Sequence, residues 1–116
     1  MIVNPTNQTA ELSHRQLVNL YMGRTQNYPD GTLALPVDQA PDSEARQAFY
    51  KRLVGKSVAE VNAYWAKLLF TGRASPPRAL TDSATVLQVV RENRNAIGYI
   101  ESEYVDDTVK VVGQVQ

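Results

Sequence analysis

Apolar residues recur at helical spacing in four segments of the chain. They predict helices near residues 13–22, 43–54, 57–70 and 82–93. Two of these segments open with a capping box, in which a serine precedes a glutamine or glutamate by three positions: Ser13 with Gln16, and Ser57 with Glu60. Three of them are followed by a glycine that can end a helix: Gly23, Gly55 and Gly72. In the third helix the apolar stripe includes Trp65, which we expect to be buried against Phe49 or Tyr64.

Shorter apolar segments predict strands at residues 2–3, 32–37, 96–100 and 109–112. Pro36 has no amide hydrogen, so it favours an edge position for the second strand or marks its end. The segment 73–80 contains Pro76-Pro77 and is predicted to be a loop. Helices placed between strands favour an α/β fold, with a small mixed β-sheet flanked by about four helices. A chain of 116 residues is expected to form one domain over residues 1–116.

The composition mainly excludes particular partners and chemistries. The chain has 12 Lys plus Arg and 12 Asp plus Glu, and no basic stripe, so we expect no nucleic-acid partner. No apolar segment is long enough to insert into a membrane. Without cysteine there can be no disulfide or thiol chemistry. No leader follows Met1, so the pattern leaves two locations open: the cytoplasm, or an exported protein whose signal peptide has been removed.

Candidate chemistry is sparse. His14 is the sole histidine and has no partners at metal-ligand spacing. The acidic residues Glu101, Glu103, Asp106 and Asp107 lack the glycine and oxygen spacing of a calcium loop. No nucleophile motif or phosphate-binding glycine loop is present, so we expect no catalytic residues, no metal and no cofactor. Ser43 is the exception, because a helix that begins after a strand presents unpaired amides to an anion.

Five segments, taken in order, resemble phosphate ABC transporter substrate-binding proteins of the type 2 periplasmic binding protein superfamily. They are LVNLYMGR (17–24), YPDG (28–31), FY (49–50), YWAKLLFTGR (64–73) and NAIGYI (95–100). The closest similarity is to a small, single-lobe branch of that family. The resemblance implies a fold like one lobe of a two-lobed protein that holds its ligand between the lobes.

The resemblance also implies where an anion would bind. In larger members of the family this lobe supplies an arginine and a Ser-Gly-Thr run at a helix start. Here the run is Ser43-Glu44-Ala45, and no Lys or Arg lies between Leu33 and Glu44. The candidate anion site is therefore Ser43, with Arg46 or Arg73 folded over it to supply the missing cation. Asp42 and Glu44 would oppose a phosphate there.

Two functions follow. The first is a non-enzymatic, solute-binding-like domain with weak or lost phosphate binding, periplasmic if a signal peptide was removed. The second is a protein-interaction or regulatory module that keeps the fold without a small-molecule ligand. Its partner would be another protein or a second copy of the chain.

Overall fold

The computed structural model describes residues 1–72 and 74–113, and it contains the four predicted helices. They are α1 (His14–Tyr21), α2 (Glu44–Val54), α3 (Val58–Phe70) and α4 (Ser83–Glu92). The strands are β1 (Ile2–Val3), β2 (Leu35–Gln39), β3 (Arg78–Leu80), β4 (Ala96–Gly98) and β5 (Lys110–Val111), with a short 3-10 turn at Ser102–Tyr104. No helix in this part of the chain is long and apolar enough to cross a bilayer.

Side-chain caps fix where the helices begin. Ser13 Oγ accepts the amide of Gln16 at 3.1 Å, and the Gln16 side chain accepts the amide of Ser13 at 2.8 Å. Ser57 and Glu60 make the same reciprocal pair before α3. Both predicted capping boxes are therefore confirmed. Asp82 caps α4 by accepting the amide of Thr85 at 2.9 Å.

The five strands form one mixed sheet in the order β3-β2-β4-β1-β5. β2 runs parallel to both β3 and β4, whereas β1 pairs antiparallel with β4 and β5. The predicted α/β fold with a small mixed sheet and four helices is confirmed. The two ends of the described chain lie together, because the Met1 amino group donates to the Gly113 carbonyl at 2.9 Å.

Two predictions about the strands differ from the structure. Residues 73–80 were expected to be a loop, yet Arg78–Leu80 forms β3 against Val37–Gln39. β2 was expected at 32–37 but begins at Leu35, because the Tyr28 amide donates to the Thr32 carbonyl at 2.8 Å and turns the chain there. Leu33 and Leu35 are exposed, at 58% and 42%, whereas Val37 is buried.

Prolines end the pairing between β2 and β3. Val37 lies opposite Arg78, so the same register continued backwards would place Pro77 opposite Pro36 and Pro76 opposite Leu35. The Leu35 amide donates towards the β4 side, to Asn95, so the nitrogen of Pro36 faces the β3 side. Proline has no amide hydrogen, so this stretch of the β2 edge lacks donors. β2 therefore pairs with β4 at Leu35–Pro36 and with β3 at Val37–Gln39, and its start is an edge on the β3 side.

The sheet separates two apolar clusters. α1, α2 and α3 cover the face that carries Val3 and Ile97, and α4 covers the face that carries Ile2, Val37 and Ala96. A Cβ at Gly98 would lie 2.5 Å from Val86 Cγ1, so the glycine allows α4 to approach the sheet closely.

The aromatic packing follows one of the two predicted contacts. Trp65 is buried, with its ring edge-on to Tyr64 at a centroid distance of 5.7 Å. Phe49 instead stacks on Tyr99, with ring centroids 3.9 Å apart and an interplanar angle of 3°.

Candidate functional site

The candidate site lies where β2, β3 and β4 end and helices α2 and α4 begin. These three strands are parallel, so their carboxyl ends meet at one edge of the sheet. Ligands of open α/β sheets bind at such an edge, near the starts of helices. Ser43 at the start of α2 and Ser83 at the start of α4 both lie here.

Ser43 acts as a helix cap. Its Oγ accepts the amide of Arg46 at 3.1 Å, and its backbone is extended. The amides of Glu44 and Ala45 belong to the first helical turn and have no intrahelical acceptor. They are therefore the donors that an anion could use at this position.

Arg46 lies in the same helical turn, but its side chain points into the protein interior. It is only 7% exposed. Its Nη2 donates to Asn62 Oδ1 at 2.8 Å, and its Nε lies 3.8 Å from Asp38 Oδ2. The guanidinium also lies 5.7 Å from the centre of the Tyr50 ring. The structure thus joins Ser43 and Arg46 through the helix cap, while the arginine's charge faces a buried carboxylate. Arg73, the third predicted residue, lies outside the described residues.

Asp38 is the centre of the buried polar groups at this edge. Its carboxylate accepts the Tyr50 hydroxyl at 2.5 Å, the Tyr99 hydroxyl, and the amide of Gln39 at 2.8 Å. Burial, together with the charge of Asp38, raises the pKa of Tyr50 and of Tyr99 far above the ordinary tyrosine value. Both hydroxyls therefore stay protonated and donate to Asp38.

A second set of hydrogen bonds extends this group towards α4. Gln39 Nε2 donates to Ser83 Oγ at 3.1 Å and to the Tyr99 carbonyl at 2.9 Å. Ser83 Oγ donates in turn to Glu101 Oε2 at 2.7 Å. Gln39, Ser83 and Glu101 thus form hydrogen bonds with one another along the strand ends, as buried polar groups normally do.

Sequence reasoning missed Asp38 and Gln39 because their segment was predicted to lie beyond the end of β2. The only signal was their position directly after Val37, where two polar residues continue an extended segment. The residues that form hydrogen bonds with their side chains, apart from Asp38 and Gln39 themselves, lie 12 to 61 residues away along the chain. Such pairings depend on the topology of the sheet.

The charge at this edge is predominantly negative. Asp42 and Glu44 flank Ser43 in the chain, and Asp82 caps the neighbouring helix. Hydrogen bonds from Thr85 lower the pKa of Asp82, so this carboxylate is ionised at neutral pH. Arg46 is the cation next to Ser43 among the described residues, and it already faces Asp38. A phosphate at Ser43 would therefore be repelled by nearby carboxylates, with little attraction from a cation to offset the repulsion.

Two cavities lie away from Ser43 and Arg46. The first, which we call the α2–β4 cavity, has a volume of about 560 Å³ and lies between α2 and the chain that follows β4. The second, of about 520 Å³, lies between the start of β2, the C-terminal half of α3 and residues 74–78. Neither is lined by Ser43 or Arg46. The Ser43 hydroxyl therefore lies outside both cavities, although Ala45, which supplies one of the two candidate donor amides, lines the first.

No cluster of three or more His, Asp or Glu side chains in the described part of the chain could hold a metal ion. His14 lies exposed in the first turn of α1.

Comparison with solved structures shows what the fold is similar to. The chain resembles a protein from Clostridium perfringens described as a phosphate ABC transporter substrate-binding protein and solved with bound phosphate, with a TM-score of 0.77 and 26% identity. It also resembles an ABC-type phosphate transport receptor from Vibrio cholerae, with a TM-score of 0.76 and 20% identity. Each match covers 96% of this chain but only 42% and 43% of the respective relative. No family model and no curated protein matches the chain.

The predicted resemblance is therefore confirmed. The chain has the fold of a part of these substrate-binding proteins and spans about two-fifths of their length.

Proposed function

We propose that the chain is a non-enzymatic, solute-binding-like domain in which phosphate binding is weak or lost. Its fold supports the relation to substrate-binding proteins. One observation supports the weak binding: the guanidinium of Arg46 faces Asp38 and Asn62 in the interior, away from the start of α2. Arg46 would have to leave these partners before it could help to hold an anion at Ser43.

The energies favour the inward position of Arg46. Removing one member of a buried ion pair costs about 3–5 kcal/mol, because the other charge stays buried. A helix start attracts an exposed anion by only about 0.3–1 kcal/mol. One carboxylate at ~4 Å repels a like charge by about 1 kcal/mol in water. We therefore expect a phosphate dissociation constant no lower than about 1 mM.

Titration with inorganic phosphate at low ionic strength tests this proposal, because salt would screen a weak interaction. Weak binding should move the amide signals of Glu44 and Ala45 in an NMR spectrum without reaching saturation below about 1 mM. A dissociation constant in the micromolar range would contradict the proposal.

A charge-removal variant tests the electrostatic reason separately. Replacing both Asp42→Asn and Glu44→Gln should tighten phosphate binding by about thirtyfold, since each change removes a repulsion of about 1 kcal/mol and the two together remove about 2 kcal/mol. The matched control is Glu103→Gln with Asp107→Asn, which removes the same charge far from Ser43 in the sequence. Equal effects of the two double variants would show that carboxylates next to Ser43 do not limit binding.

The proposed relation to transport systems also bears on location. We propose that residues 1–116 form one domain that works in the periplasm. Fractionation of the producing cell tests the location, and recovery of the protein with a cytoplasmic marker would contradict it.

An alternative function as a protein-interaction module has its own supporting observation. Leu33, Leu35 and Leu69 all line the second cavity and are exposed. Phe70, the next residue after Leu69, is 93% exposed. Contiguous exposed apolar side chains of this size are typical of interaction surfaces.

Sedimentation of the chain over a range of concentrations tests whether the partner is a second copy. Self-association that Phe70→Ser abolishes would support this alternative. A monomer at all concentrations would argue against a homodimer.

A further inference from the structure

The α2–β4 cavity combines an apolar interior with opposite charges. One wall is a single face of α2, formed by Ala45, Ala48, Phe49 and Arg52, which follow helical spacing. The opposite wall comes from Tyr99, Glu101 and neighbouring apolar residues: Ile100, Val105 and Val111. Its volume of about 560 Å³ lies within the range of small-molecule pockets.

Arg52 and Glu101, the two charged side chains of this lining, do not neutralise each other; the Met1 ammonium, which also belongs to the lining, donates to the Gly113 carbonyl at 2.9 Å. The salt bridge found in the described part of the chain joins Arg46 to Asp38, so Arg52 and Glu101 are more than 4.0 Å apart. Arg52 is exposed on α2. Glu101 is held by the Ser83 hydroxyl at one oxygen, Oε2, which leaves Oε1 for another donor. The cavity is thus lined by two oppositely charged side chains that are free to pair with a ligand, in addition to the Met1 ammonium, which is held by Gly113.

The floor between these charges is aromatic and fixed in place. Phe49 and Tyr99 stack in parallel, and Tyr21 packs edge-on against Phe49 at a centroid distance of 4.9 Å. The Tyr99 hydroxyl donates to Asp38, and this hydrogen bond fixes the ring. A ligand would meet an apolar surface whose side chains are already ordered, so binding would cost little conformational entropy.

We propose that the α2–β4 cavity binds a small zwitterion with an apolar body, such as an apolar amino acid or a short apolar peptide. Its carboxylate pairs with Arg52, its ammonium pairs with Glu101, and its apolar part lies on Phe49 and Tyr99. Arginine suits the carboxylate because its guanidinium can donate two parallel hydrogen bonds. This inference does not depend on weak phosphate binding, because Ser43 and Arg46 do not line the cavity.

The test compares ligands that differ only in charge. The full chain is titrated with leucine and with the dipeptide Leu-Leu, and then with 4-methylpentanoate, which lacks the ammonium, and 3-methylbutylamine, which lacks the carboxylate. At least one zwitterion should bind about tenfold more tightly than both half-charged compounds. The two zwitterions separate a free amino acid from a peptide as the better ligand. Amide signals of Ala48 and of residues 100–102 should shift on binding.

Variants of the charged residues locate the interaction. Arg52→Gln and Glu101→Gln should each weaken binding of the zwitterion by about tenfold. Their matched controls are Lys51→Gln and Glu103→Gln, exposed neighbours of the same charge that do not line the cavity. Ala48→Phe should fill the cavity and abolish binding, and its thermal unfolding curve shows whether the fold is kept.

Three results would overturn the proposal. They are the absence of signal shifts with either zwitterion up to about 10 mM, equal affinity for the half-charged compounds, and unchanged affinity in Arg52→Gln. Arg52 is exposed, so its substitution leaves the fold intact and the last result stays interpretable. Phosphate binding at Ser43 would be followed at the amide of Glu44, which does not line the cavity, whereas zwitterion binding is followed at Ala48 and residues 100–102, so a failure here is distinguishable from a failure of the proposed function.

Discussion

Replacing Asp38 with alanine should lower the free energy of unfolding by about 3–5 kcal/mol. The change leaves the Arg46 charge buried without its carboxylate, and such a charge costs an amount of this size. It also removes the acceptor of two tyrosine hydroxyls, those of Tyr50 and Tyr99. A domain of this size has about 5–15 kcal/mol of stability in total, so the loss should be large but measurable.

Urea unfolding followed by tryptophan fluorescence is the appropriate assay, because Trp65 is the sole tryptophan and is buried. The midpoint should fall while the denaturant slope stays constant, which would show that stability alone has changed. The matched control is Asp82→Ala. It removes an exposed carboxylate that caps a helix and should cost only about 0.5–2 kcal/mol.

A double-mutant cycle distinguishes loss of the interaction between Asp38 and Arg46 from a general destabilisation of the fold. Arg46→Met removes the charge and keeps much of the side-chain volume. Combined with Asp38→Ala, it should cost less than the sum of the two single changes, by about 1 kcal/mol or more. Tyr50→Phe, a milder change, should cost about 1.5–3 kcal/mol because it removes one hydrogen bond to a charged group. An Asp38→Ala cost below about 1 kcal/mol, or strict additivity in the cycle, would refute this account.

Two further predictions concern the aromatic residues. Trp65→Ala should lower the unfolding free energy by about 3–5 kcal/mol, measured by circular dichroism, and a change below about 1 kcal/mol would contradict its packing role. Stability should also fall as pH rises above the ordinary tyrosine pKa of 10.0, because the raised pKa values of Tyr50 and Tyr99 keep them protonated only when folded. Each contributes up to about 1.4 kcal/mol per pH unit, so Tyr50→Phe should reduce the slope by that amount and an unchanged slope would contradict this.

The helices could be predicted from sequence because their ends depend on local contacts. Ser13 and Ser57 bond residues three positions away, and the structure confirms both capping boxes. β3 could not be predicted in this way. Its three residues, Arg78–Leu80, carry little apolar signal and become a strand only by pairing with β2, some forty residues earlier. Pro76 and Pro77 indicated a loop, and they do precede the strand.

The candidate site was predictable only in part. The start of the second helix near Ser43 was predicted from local sequence, and the structure shows Ser43 as the cap of α2. The direction of the Arg46 side chain cannot be predicted from local sequence, because it depends on Asp38 from β2 and Asn62 from α3. A buried carboxylate at position 38 could be inferred only by knowing that β2 lies inside the sheet. The anion site itself stays a prediction.

The prolines at the start of β2 have a consequence for how the protein behaves at high concentration. An uncovered strand edge next to exposed leucines is a template on which another chain can add a strand and begin aggregation. Here Pro36 cannot donate to an incoming strand, and Pro76 and Pro77 occupy the adjacent segment. The apolar side chains of Leu33 and Leu35 can therefore stay exposed without inviting intermolecular β-sheet growth. Whatever covers them must do so through side-chain contacts.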